Sequence, residues 1–210
     1  MVLLGVVVGR GPTAFDDSAL TVLQRIFGPE PIWMLYFSWS LTMMVTLAIA
    51  VLIALIRRRW RLAVVVALCP LVSVLITRLL KPVFGRYKGD ALAYPSGHTA
   101  VAITVTAMLV VATGYVLWVA VLAGVVGVIG ALSMATTDLH YLTDNIGSVF
   151  FATAMVCLAI LAAGPQAVAS AAARHDVARR IDCAFLARLV AEHQIEDWEA
   201  VELAHELTNG

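Results

Sequence analysis

The chain has 210 residues, 61% of them hydrophobic and only 13% charged. That balance excludes an ordinary water-soluble domain, which has too little interior to hide so much apolar side chain. A formal net charge of zero excludes any global attraction to nucleic acid, so charge arguments must be local.

The first eight residues are apolar but too short to cross a bilayer. They lack a basic stretch before the apolar run and an obvious cleavage site after it, so they do not read as a signal peptide. Residues 16–27 follow, with Leu20, Leu23, Ile26 and Phe27 on one helical face, a pattern that predicts a helix at the membrane interface. The first convincing span covers residues 32–56 and is followed at once by Arg57, Arg58, Arg59 and Arg61. A second span covers 62–80. Residues 81–98 are polar and rich in Gly and Pro, the composition of a loop. From 99 to 137 there is no Asp, Glu, Lys or Arg, a length that suits two crossings with a tight turn near Gly114 and Tyr115. A short polar loop, 138–145, leads to the last span, 146–163.

The fold class is therefore all-α: a polytopic membrane helix bundle with five clear spans and a short N-terminal apolar element. It is divided into a membrane domain, 1–165, and a helical tail, 166–210. In the tail, Val177, Ile181, Phe185 and Leu189 recur at helical spacing, and a basic segment precedes an acidic one. That suits a hairpin, or a surface for a second copy or a protein partner. Cys69, Cys157 and Cys183 suggest neither a metal pattern nor a disulfide framework.

Basic residues favour the cytoplasmic side. The arginine cluster at 57–61 and the tail, with Arg174, Arg179 and Arg180, are expected there by parity, which puts the 81–98 and 138–145 segments on the outer face of a plasma (inner) membrane. Lys81, Arg86 and Lys88 break that bias, and binding an anion explains them. Ser96-Gly97-His98 precedes a helix, where free N–H groups favour anions and Gly97 allows close approach. His98 and His140 can divide nucleophilic and acid roles, and Asp144, one helical turn after His140, can fix its tautomer.

Pro95-Ser96-Gly97-His98 resembles the central motif of the type-2 phosphatidic acid phosphatase superfamily. The flanking motifs of that family are a lysine followed after six residues by Arg-Pro, and Ser-Arg followed after five residues by a histidine and, four positions on, an aspartate. Lys81, Ser133, His140 and Asp144 fit them; Lys88-Gly89 stands where the family has Arg-Pro, and Met134 where it has the second arginine. The resemblance covers residues 16–163. It implies a six-helix core and a membrane-embedded lipid-phosphate phosphatase acting at the outer face without metal or cofactor. In it His140 would form a phosphohistidine, Asp144 would orient His140, His98 would protonate the leaving alcohol, and Lys81, Ser96 and Gly97 would hold the phosphate. Arg86 and Lys88 are further candidates for substrate binding. The partners expected are a lipid phosphate and the bilayer, with no nucleic acid. Because lysine lacks the guanidinium fork and methionine has no charge, a weak or inactive phospholipid-binding scaffold is an alternative, as is a lipid phosphotransferase.

Overall fold

The computed structural model describes residues 1–29, 31–38 and 40–164. The tail expected at 166–210, with Cys183 and its helical hairpin, lies outside the described residues.

Eight helices and one small hairpin make up the described part: α1 (Val2–Val8), α2 (Ala14–Phe27), α3 (Ile32–Leu35), α4 (Ser40–Ile56), α5 (Trp60–Phe84), β1 (Tyr87–Lys88), β2 (Ala91–Leu92), α6 (Gly97–Thr113), α7 (Leu117–Thr136) and α8 (Leu142–Ala163). Four segments are long and apolar enough to cross a membrane: Ile32–Ile56, Trp60–Phe84, Leu117–Thr136 and Leu142–Ala163. The fifth expected span corresponds to α6, which is apolar but shorter. Its 17 residues reach about 26 Å at 1.5 Å per residue, somewhat less than a hydrocarbon core of about 30 Å.

α6 is the axis of the bundle, packed against α4, α5, α7 and α8. Its position explains its composition. The residues it buries include Ala100, Ala102 and Ala112, whose small side chains let neighbouring helices approach, and Thr104 and Thr106, whose hydroxyls donate to the carbonyls of Ala100 and Ala102 at 2.8 Å each. Large apolar side chains point outward instead: Leu41, Leu52, Leu71, Leu79, Leu117, Val125 and Leu161 are all exposed. An apolar exterior around a small-residue and hydroxyl-bearing interior is the arrangement a bilayer demands.

The two ends of the bundle differ. At one, Arg57 Nη1 donates to the carbonyls of Ala112 and Thr113 at 3.2 and 2.8 Å, capping the C-terminus of α6. The expected tight turn follows there, with Gly114 at φ 77° and Tyr115 at φ 60°. At the other end lie the C-terminus of α5, the hairpin, the start of α6, the end of α7 and the start of α8. The arginine cluster and the candidate site therefore occupy opposite ends.

Three expectations of local structure are corrected. Residues 81–84 belong to α5, not to a loop, because Pro82 is tolerated inside the helix and the stop comes only at Gly85, in the left-handed conformation (φ 57°) with its N–H on the Lys81 carbonyl at 3.0 Å. The segment 86–92 closes as an antiparallel hairpin with Tyr87 opposite Leu92, so the described residues are not helical throughout. α8 begins at Leu142, four residues before the expected start, because Asp144 accepts the N–H of Tyr141 at 3.0 Å and caps it. The helix expected at 16–27 is present as α2, closed at its start by a reciprocal Thr13–Asp16 cap.

Candidate functional site

Four sequence segments meet at the site end, and each is fixed by contacts readable residue by residue. Lys81, on the last turns of α5, donates from Nζ to the Leu92 carbonyl at 2.7 Å, which ties the helix to the hairpin. The chain then passes Tyr94, fully buried, whose hydroxyl donates to the Met1 carbonyl at 2.6 Å and whose ring packs edge-on against Phe84 at 4.8 Å. Burial pushes the Tyr94 hydroxyl up to about 12, with the nearby Asp144 charge adding to the effect. Gly5 and Gly147 both pack against that ring. The apolar N-terminus is thus the short helix α1, held behind the site.

Ser96 caps α6: its Oγ accepts the Thr99 N–H at 3.4 Å. Thr99 Oγ1 donates to Asn145 Oδ1 at 2.8 Å, and Asn145 Nδ2 donates to the Ala131 carbonyl at 2.9 Å. This chain of bonds binds α6, α8 and α7 together one position from His98 and close to His140. The His98 and His140 rings stand 6.5 Å apart, centroid to centroid, at 59°.

A cavity of about 480 Å³ opens here, lined by Arg78, Lys81, Lys88, Gly97, His98 and His140 among others. Two neighbouring cavities adjoin it. One of about 440 Å³ shares His98 and opens past Ile32, Leu35, Tyr36 and Met134. One of about 350 Å³ shares Lys88 and His140 and is lined by Asp17, Asp138 and Tyr141. Of the expected residues, Lys81, Lys88, Gly97, His98 and His140 therefore line one space. Ser96, Arg86 and Asp144 lie in the wall, each fully buried.

The wall is an ionic network. Arg86 Nη2 meets Asp16 Oδ2 at 2.7 Å, and Nη1 stands 3.2 Å from Asp144 Oδ1. Asp144 Oδ2 is 3.6 Å from His140 Nδ1, too long for a hydrogen bond but close enough for the carboxylate to bias the ring. Asp16 also accepts from the Thr143 backbone N–H at 2.9 Å. Burial raises the Asp16 carboxyl, but the bonds from Thr143 and Thr13 more than offset it, leaving the group below its ordinary value. Arg86 and Lys88 both stack on the Tyr141 ring, at 4.5 and 4.4 Å from its centroid.

Arg86 thus faces two carboxylates and not the cavity, and Lys88 is already paired with Asp138 at 2.6 Å. Arg78, about one helical turn before Lys81, lines the cavity. Asp16 and Thr143 escaped the sequence reading. The capping pattern Thr13-x-x-Asp16 was the visible signal, and it pointed to a helix start with no hint of a distant arginine. Among the described residues, no group of three histidine, cysteine or acidic side chains is placed to hold a metal.

Comparison with known proteins gives a narrow result. No protein-family model matches the chain, and no solved structure gives a significant match. Curated relatives match over a short stretch. The uronate isomerase of Sphingopyxis alaskensis is 65% identical over 43 residues, 20% of this chain and 9% of that protein. The uronate isomerase of Rhizobium meliloti is 62% identical over 45 residues, 21% of this chain and 10% of that protein. That of Mesorhizobium japonicum is 66% identical over 44 residues, with 21% and 9% covered. The chain thus spans about a tenth of the length of the curated relatives it matches. Those relatives are enzymes by name, isomerases and not hydrolases. The expectation of a lipid-phosphate phosphatase working through a phosphohistidine is corrected accordingly: what the chain matches is named uronate isomerase.

Proposed function

We propose that the site end of this bundle is an acid–base site that binds an oxyanion at a membrane face, the anion being the phosphate of a lipid headgroup. The observation that supports it is the shared cavity in which His98 and His140, 6.5 Å apart, stand with Lys81. Lys81 and the start of α6 at Gly97 supply attraction for the anion, and the two imidazoles exchange protons with it. Asp144 orients His140. The adjoining cavity past Ile32, Leu35 and Tyr36 suits an apolar tail. On this reading the helical core is a divergent relative of the type-2 phosphatidic acid phosphatase scaffold, α6 is a fifth crossing, and the site faces away from the cytoplasm.

Calorimetric titration in phosphatidylcholine nanodiscs tests it. Dioctanoyl phosphatidate is expected to bind saturably, at least tenfold more tightly than inorganic phosphate. Lys81→Ala is expected to weaken binding about tenfold or more, the loss of one charge-assisted contact. Glucuronate is the arm that the isomerase match motivates. Preference for glucuronate, or phosphatidate binding that ignores Lys81→Ala and His98→Ala, overturns the proposal.

A further inference from the structure

Asp16 is a buried carboxylate on a peripheral helix, outside every motif considered above. Its side chain is nonetheless the point where three elements of the site end meet. Oδ2 accepts from Arg86 Nη2 at 2.7 Å and from the Thr13 N–H at 3.1 Å; Oδ1 accepts from the Thr143 N–H at 2.9 Å and its hydroxyl at 2.9 Å. Thr143 immediately precedes Asp144, so Asp16 fixes the backbone that carries that carboxylate. Arg86 has its other end 3.2 Å from Asp144 Oδ1. The guanidinium is therefore shared between two carboxylates, closer to Asp16 than to Asp144.

We propose that Asp16 is a positioning residue for His140: by holding Arg86 to itself, it leaves Asp144 free to face the imidazole. The inference rests on the acid–base reading above. Its physical basis is competition. One guanidinium between two carboxylates is drawn toward whichever keeps its charge. With Asp16 neutral, Arg86 closes on Asp144, and Asp144 Oδ2 turns from His140 Nδ1, now 3.6 Å away. His140 then loses the carboxylate that selects its Nδ1-protonated form, leaving Nε2 no longer the fixed acceptor. The bonds of Asp16 run to Thr13, Arg86 and Thr143, so its effect on His140 travels through Arg86 and, by way of Thr143, through Asp144. Geometry of this kind resembles the outer partners of metal-binding histidines, whose loss lowers affinity or activity roughly 10–100-fold.

The test uses full-length protein in phosphatidylcholine nanodiscs with 15N-labelled histidine, the His140 signals being assigned by their loss in His140→Ala. The wild type is expected to show one Nδ1-protonated tautomer at His140, and Asp16→Asn a mixture of tautomers. Thr13→Val removes the helix cap but leaves the Arg86 contact, and is expected to keep the wild-type tautomer. Should Asp16→Asn fail to fold, Asp16→Ser serves: its small hydroxyl carries no charge to hold Arg86, and it too is expected to give a mixture. Dioctanoyl phosphatidate affinity is expected to fall about tenfold in Asp16→Asn and to show no further fall when His140→Ala is already present. A folded Asp16→Asn protein, or failing that a folded Asp16→Ser protein, that keeps the single tautomer overturns the inference. So does a Thr13→Val protein with the same mixture as Asp16→Asn, since that makes the role a matter of α2 stability. The tautomer is read without any anion, so a wild type that binds no phosphatidate overturns the site reading while the spectra still decide on Asp16.

Discussion

Arg86 shows how one residue's role depends on what buries it. A basic residue in a polar segment suggested contact with an anion, yet its guanidinium is fully buried between Asp16 and Asp144. Replacing it with a methionine leaves two carboxylates facing each other without a cation. Arg86→Met is expected to destabilise the fold by about 3–5 kcal/mol, read as a lower midpoint in thermal or denaturant unfolding. Gly147 makes a second case. A Cβ there overlaps the hydroxyl of Tyr94, which cannot retreat because it is bonded to Met1 and packed on Phe84. Gly147→Ala is expected to cost about 1–3 kcal/mol by overpacking, measurable in the same unfolding assay. The histidines, Lys81 and Asp144 were legible because their types and spacing carry chemistry by themselves. Asp16 was not, because a carboxylate three residues after a threonine is explained completely by a helix cap, and its partner Arg86 lies 70 positions away.

At the scale of elements, hydrophobic blocks located the helices well and their ends poorly. The composition of residues 81–98 suggested a loop, but Pro82 does not stop α5, whereas Gly85 does. The helix that results is long: 25 residues reach about 37 Å, more than a hydrocarbon core of about 30 Å. Helix α2 joins the bundle through Asp16, and this gives the junction a pH dependence with a definite sign. The Asp16 carboxyl lies below its ordinary value in the folded protein, so its contribution is fully present above the unfolded value of about 4 and is lost as pH falls through the folded value. Thermal midpoints of the wild type are expected to drop below about pH 4, and those of Asp16→Asn to drop less steeply. The opposite end of the bundle offers a milder test. Arg57→Ala removes the cap on α6 and is expected to cost about 1 kcal/mol, because the side chain is exposed.

For the whole molecule, the long apolar helices were foreseeable from composition, and the convergence of distant segments followed from counting crossings. What crossings cannot reveal is depth. His98 is exposed into its cavity while His140 is recessed at 8% exposure. Sidedness has a direct test. In a cysteine-free background, Asp90→Cys is expected to react with an impermeant maleimide added outside intact cells and Arg58→Cys to react only after lysis. The reverse pattern would invert the orientation.

The bond from Lys81 to the Leu92 carbonyl changes how any affinity measured here should be understood. The ammonium is not waiting in water for an anion; it already serves the short hairpin as a latch. A ligand that recruits it must draw it away or share it, so the observed strength is a difference between two attachments. Tight occupants would then loosen the hairpin, and faster amide exchange at Lys88 and Ala91 would record that trade.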